Sequence, residues 1–178
     1  MQKSSPSTAA ASIDSADLHE LTSAVATTFT QHGWTLAVAE SCTGGLLAAS
    51  LTDLAGSSQW FERGYVTYSN AAKVACLQVS PMLIEAEGAV SEAVASAMVL
   101  GAQLSSGVTA AISITGIAGP SGGTAEKPVG TVCFGWAIER GDARNHVTTT
   151  TAHFVGDRQS VRQQAVLFAL RGLLQAIA

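Results

Sequence analysis

Ala39-Glu40-Ser41-Cys42-Thr43-Gly44-Gly45 sets a hydroxyl beside a thiol at the exit of a short apolar run, Thr35–Ala39. The run reads as a buried strand, and Leu46–Leu51, rich in helix formers, as the helix that follows. Two adjacent glycines let a ligand approach the backbone closely. The unpaired N–H groups of the new helix, and its dipole, favour an anion or a developing oxyanion at the same place. Nucleophilic attack by Ser41 or Cys42, supported by backbone donors from Thr43, Gly44 and Gly45, is the chemistry such an arrangement suits. The stretch equally suits a capped helix start whose glycines only ease packing, and alone it leaves both readings open.

A serine nucleophile needs a base within hydrogen-bond reach. His19, His32, His146 and His153 are scattered, and the last two fall in an expected strand pair, as surface or packing residues. Lys73 is better placed. Ser69-Asn70 caps a short helix carrying Lys73, Val74 and Leu77. With Asn70 as the cap, Lys73 lies in the first turn, where the dipole disfavours an ammonium. Burial beside Val74 would lower its pKa further, and a neutral amine is what a lysine base requires. The alternative is a solvated surface lysine.

Tyr68 ends the strand that leads into this helix. Its phenol would relay a proton or orient the lysine, or merely finish the strand as a half-buried aromatic. Glu40 would accept ribose hydroxyls, orient a neighbour or pair with a core cation. A second glycine loop, Gly116–Gly123, follows Thr115 and would cradle a phosphate with backbone donors, or serve as an ordinary connection. It lacks the Gly-Lys of a Walker A loop. Arg158 and Arg162 offer the planar fork that suits phosphate or carboxylate, or else lie on a helix surface.

These residues need a scaffold, and 178 residues, 47% hydrophobic and only 12% charged, allow one domain with a sizeable core. A formal charge of -4 and no Lys/Arg cluster argue against a nucleic-acid footprint. Cys42, Cys76 and Cys133 show no CxxC spacing, which argues against disulfides and zinc and for a reducing cytoplasm. No apolar run near membrane-spanning length and no signal-peptide pattern is present.

Residues 1–15, rich in Ser, Thr and Ala, read as a disordered tail, and 16–178 as the domain. Helical spacing covers Asp17–Gln31, closed by Gly33, and a helix after Gly45 reaches about Leu54. Trp60–Tyr68 reads as a strand. Short helices follow from Asn70 and from Pro81 to Gly88, then a longer one from Ser91-Glu92 to about Leu104. Ala110–Thr115 reads as a buried strand. Val129–Ile138 and His146–Phe154 read as a hairpin turning at Glu139–Asp142. Gly156-Asp157 caps a last amphipathic helix with Val161, Val166, Leu170 and Leu174. The order predicts an α/β fold: a single three-layer α/β/α domain with a mixed central sheet. Both glycine loops then lie at strand carboxyl ends, where such sheets bind ligands.

Five ordered motifs resemble one family: Ala-Glu-Ser-Cys-Thr-Gly-Gly at 39–45, Tyr-Ser-Asn-x-x-Lys at 68–73, Gly-Ala-Val-Ser at 88–91, Thr-Gly-Ile-Ala-Gly-Pro-x-Gly-Gly at 115–123 and Lys-Pro-Val-Gly-Thr-Val at 127–132. Phe154-x-Gly-Asp-Arg158 with Val161-Arg162 fits as well. The family is that of the CinA C-terminal domain, which includes nicotinamide-nucleotide amidohydrolases, and the resemblance is to its stand-alone form. It implies hydrolysis of the carboxamide of nicotinamide mononucleotide to nicotinate mononucleotide and ammonia. It implies Ser41, Tyr68 and Lys73 as the catalytic set. Oxyanion and substrate-binding positions then fall on Glu40, Cys42, Thr43, Gly44, Gly45, Thr115, Gly116, Ala118, Gly119, Gly122 and Arg158. A cytoplasmic homo-oligomer acting on a small molecule is expected, with no metal, cofactor, nucleic acid or membrane. A nucleotide-binding module without catalysis, and thiol catalysis through Cys42, are the competing readings.

Overall fold

The computed structural model describes residues 15–139 and 145–178. The expected tail up to residue 14 and the hairpin turn at Arg140–Asp142 lie outside the described residues. Ser15, expected in the tail, instead opens the first helix, α1 (Ser15–His32), which presents Val25 and Phe29 to the core. Gly33, at φ +64°, ends that helix in a conformation that side chains resist.

β1 (Leu36–Glu40) is buried along its whole length. It pairs in parallel with β2 (Phe61–Val66) on one side and β3 (Ala110–Gly116) on the other. A strand covered on both faces must be apolar throughout, which is why Leu36–Ala39 reads as a continuous run. β4 (Thr131–Glu139) and β5 (Asn145–His153) add as an antiparallel hairpin, giving the order β2-β1-β3-β4-β5.

Side-chain alternation divides the core between the two faces. Leu36, Val38, Ile112, Ile114, Phe134 and Trp136 pack with α1, α2 (Leu46–Thr52) and α6 (Arg158–Ile177). The opposite face carries Ala39, Ala111 and Ala137 against Val94, Met98, Val99 and Ala102 of α5 (Glu92–Ser106). Small residues there let α5 lie close. A Cβ on Gly135 would stand 2.9 Å from Ala95 O, and Ser113 Oγ donates to that same carbonyl at 2.7 Å. α3 (Asn70–Leu77) and α4 (Pro81–Glu87) complete this layer through Leu77 and Ile84. The fold is therefore the three-layer α/β/α domain with a mixed sheet.

Several ends shift from their expected places. Trp60 leaves the strand to close a short 3-10 turn, Ser57–Gln59, and is buried in the core. At the other end Thr67 N–H still reaches Glu40 O at 2.8 Å, and Tyr68 turns away exposed. Val129 and Gly130 precede β4, because Gly130, at φ +94°, turns the chain into it. The three parallel strands end on one rim, delivering Ser41, Tyr68 and the Gly116–Gly123 loop to the same edge. Among the described residues no helix is long and apolar enough to cross a membrane.

Candidate active site

Ser41 follows β1 directly, and its N–H donates to Ile114 O at 2.9 Å, so its backbone is fixed by β3. Ser69, not Asn70, is the cap of α3: its hydroxyl accepts from Ala72 N at 3.0 Å. Lys73 is thus the fourth helical residue, with its own N–H bonded to Ser69 O. Its side chain is fully buried, at 1% exposure, against the reading of a solvated surface lysine. Nζ lies 3.0 Å from Ser41 Oγ and donates to Thr67 O at 2.9 Å. Among the described residues no carboxylate pairs with it. Burial lowers its pKa below the ordinary lysine value.

The part expected of Glu40 needs correction. Its carboxylate is buried and folds back under the following turn. Oε2 accepts from Gly45 N at 3.0 Å and Leu47 N at 3.1 Å, and Oε1 from Ala48 N at 2.9 Å. A carboxylate suits a helix N-terminus on charge grounds. Here it occupies the Gly45 N–H, one of the donors that the sequence reading assigned to an oxyanion. Gly44 N–H is committed too, to Ser41 O at 3.1 Å, and Leu46 N–H to Thr43 O at 3.2 Å. Gly44 and Gly45, at φ +59° and +94°, give the backbone the path that lets Glu40 do this. Glu40, Thr43, Gly44 and Gly45 consequently lie behind the cavity rather than on its wall.

The cavity itself, about 350 Å³, brings together Ser41, Cys42, Tyr68, Lys73, Thr115, Gly116, Ala118, Gly119, Gly122 and Arg158. Asn70, expected only as a helix cap, also lines it, as do Ala89, Val90, Ile117 and Ser121, which were not singled out from sequence. Ala89, Val90 and Ile117 stood inside quoted motifs without a role. Thr115 Oγ1 donates to Ala89 O at 2.7 Å, tying the end of β3 to that segment.

Tyr68 meets Arg158 rather than Lys73. Arg158 Nη2 donates to Tyr68 Oη at 2.9 Å, and Nη1 donates to Gly119 O at 2.9 Å. Thr67 O, not the phenol, holds the lysine. Its partners are a peptide carbonyl and a phenol, and among the described residues no carboxylate pairs with it. This leaves a full positive charge on the cavity wall. Cys42 is nearly buried, and burial pushes its thiol up to about 12. At neutral pH it carries almost no thiolate, the form a thiol nucleophile needs.

The model of the CinA C-terminal domain matches residues 18–177. Nicotinamide-nucleotide amidohydrolase PncC of Enterobacter agglomerans is 51% identical over 158 residues, 89% of this chain and 94% of that protein. Its namesake from Escherichia coli strain K12 is 47% identical over 159 residues, with the same coverage. Among crystal structures, the competence/damage inducible protein CihA from Agrobacterium tumefaciens superposes with a TM-score of 0.88 at 39% identity. That match covers 94% of this chain and 99% of the other. Motifs, sheet and matched length agree: the chain belongs to the CinA C-terminal domain family.

Proposed function

We propose that the protein is an amidohydrolase that converts nicotinamide mononucleotide to nicotinate mononucleotide and ammonia through an acyl-enzyme on Ser41. The observation that carries this reading is the buried amine of Lys73, 3.0 Å from Ser41 Oγ and held by Thr67 O. A pure binding site has no use for such a pair, since burying an amine beside a hydroxyl costs free energy and recognises nothing. As a base it is well made: a neutral Nζ accepts the Oγ proton while its own N–H still reaches Thr67 O.

Ser41 Oγ attacks the carboxamide carbon and Lys73 takes its proton. As the C–N bond breaks, Lys73 returns the proton to the departing nitrogen, which leaves as ammonia. Water, deprotonated by the same amine, then attacks the acyl carbon; the bond to Ser41 Oγ breaks, Lys73 returns the proton to Oγ, and the carboxylate leaves. The substrate's pyridinium is itself cationic, which further disfavours an ammonium at Lys73. With the Gly44 and Gly45 donors committed and Thr43 off the cavity wall, the Cys42 N–H is the oxyanion donor in this reading, a contribution of about 3–4 kcal/mol. Arg158 receives the substrate's phosphate, with Tyr68 and Gly119 holding its guanidinium in place. The test is ammonia release from nicotinamide mononucleotide. The wild type should turn over, while Ser41→Ala and Lys73→Ala, still folded by circular dichroism, should lose at least about a thousandfold in kcat. Saturable binding without ammonia in the wild type would instead make the protein a nucleotide-binding module.

A further inference from the structure

Polar atoms left unsatisfied in a folded interior are uncommon, and they gather where function demands them. Among the described residues three buried side-chain atoms lack a hydrogen-bond partner: Thr43 Oγ1, Gln103 Oε1 and Arg162 Nε. Two of these three belong to a single contact, in which Arg162 Nη2 donates to Thr43 O at 2.6 Å. No carboxylate among the described residues pairs with Arg162. The guanidinium is thus partly desolvated against one peptide carbonyl of the turn that carries Ser41. Packing alone would have been served better by an apolar side chain.

The hydrogen bonds leading away from that carbonyl give the arrangement a direction. Thr43 C=O shares its peptide group with Gly44 N–H, which donates to Ser41 O at 3.1 Å. Ser41 C=O in turn shares its peptide group with Cys42 N–H. Cys42 lines the cavity beside Ser41, and its N–H donates to no oxygen among the described residues. Each bond in such a chain polarises the next. A cation pulling on Thr43 O makes Gly44 N–H a stronger donor, and that makes Cys42 N–H a stronger donor in turn.

We infer that Arg162 is a positioning residue, fixing the Ser41–Gly44 turn and passing its charge through two peptide groups to the Cys42 N–H that faces a developing oxyanion. Arg158 and Arg162, one turn apart on α6, are then divided in purpose: one faces the cavity and the other braces the nucleophile from behind. The inference rests on the proposed hydrolase reading of the site.

Kinetics of ammonia release from nicotinamide mononucleotide by Arg162→Gln, Arg162→Met and Arg162→Lys test it, alongside the rate at which a fluorophosphonate labels Ser41. The Gln and Met variants should lose about tenfold or more in kcat, with KM within about twofold of wild type. Lys, which keeps the charge, should recover part of that loss, and labelling should slow in the same order. Should Gln fail to fold, Met carries the same comparison, since it removes the unpaired Nε along with the charge. A raised KM at unchanged kcat would make Arg162 a substrate contact and overturn the inference, as would equal losses in Met and Lys. Wild-type labelling of Ser41 without ammonia from the mononucleotide would sink the substrate assignment alone, and the labelling rates would still decide the part played by Arg162.

Discussion

Lys73 carries a linked burden of stability and titration. A buried amine whose pKa is lowered binds fewer protons in the folded chain than in the unfolded one. Between the lowered pKa and the ordinary 10.5, stability therefore rises with pH; below the lowered pKa the whole cost of burying an ammonium is present. Lys73→Met should abolish turnover yet leave the melting temperature at neutral pH unchanged or higher, and flatten its rise with pH. A melting temperature that falls by several degrees in this variant would show that the amine is not strained by burial. The wild-type kcat/KM should climb with pH along a limb set by the same amine. Glu40 makes the opposite case, because three backbone donors depend on it. Glu40→Ala should cost about 2–4 kcal/mol in a urea melt. The Ser41–Lys73 pair was legible because a hydroxyl at a strand exit and a lysine near a helix start both carry local signals. Glu40 was not: bonding to residues five, seven and eight places ahead is no standard cap, and only the folded turn creates it.

Elements impose their own constraints, one of them where α6 crosses β4. Trp136 Nε1 donates to Ala169 O at 2.9 Å, which seats the indole against the helix at Gly172. A Cβ at Gly172 would overlap the Trp136 ring. Gly172→Ala should therefore destabilise by about 1–3 kcal/mol, as overpacking does, although alanine is the better helix former. A melt showing stabilisation would mean that the ring moves aside freely. The order and type of the elements were legible in the chain, since continuous apolar runs marked β1 and β3 and helical spacing marked α1, α5 and α6. Their ends were less so. Trp60 and Val129 look like strand residues by side chain, yet a neighbouring 3-10 turn and the left-handed Gly130 decide their backbones. Aromatic and β-branched content reports burial as much as strand geometry.

For the whole molecule, the proposed substrate should act as a stabiliser, because it binds only when β1, β2, β3 and α6 are all in place. Folded Ser41→Ala protein, which cannot consume it, should melt at a higher temperature in nicotinamide mononucleotide. The gain at a hundredfold excess over Kd is about 2.7 kcal/mol. No shift at millimolar ligand would count against the cavity as its binding site. Arg158 stands 117 positions after Ser41 yet shares its cavity. During synthesis, the strand that bears the serine and the helix that bears the lysine leave the ribosome long before the arginine that completes the pocket wall. A half-made chain therefore lacks the guanidinium that lines this cavity. If Arg158 receives the phosphate as proposed, selectivity for a nucleotide over other amides is acquired only once α6 docks.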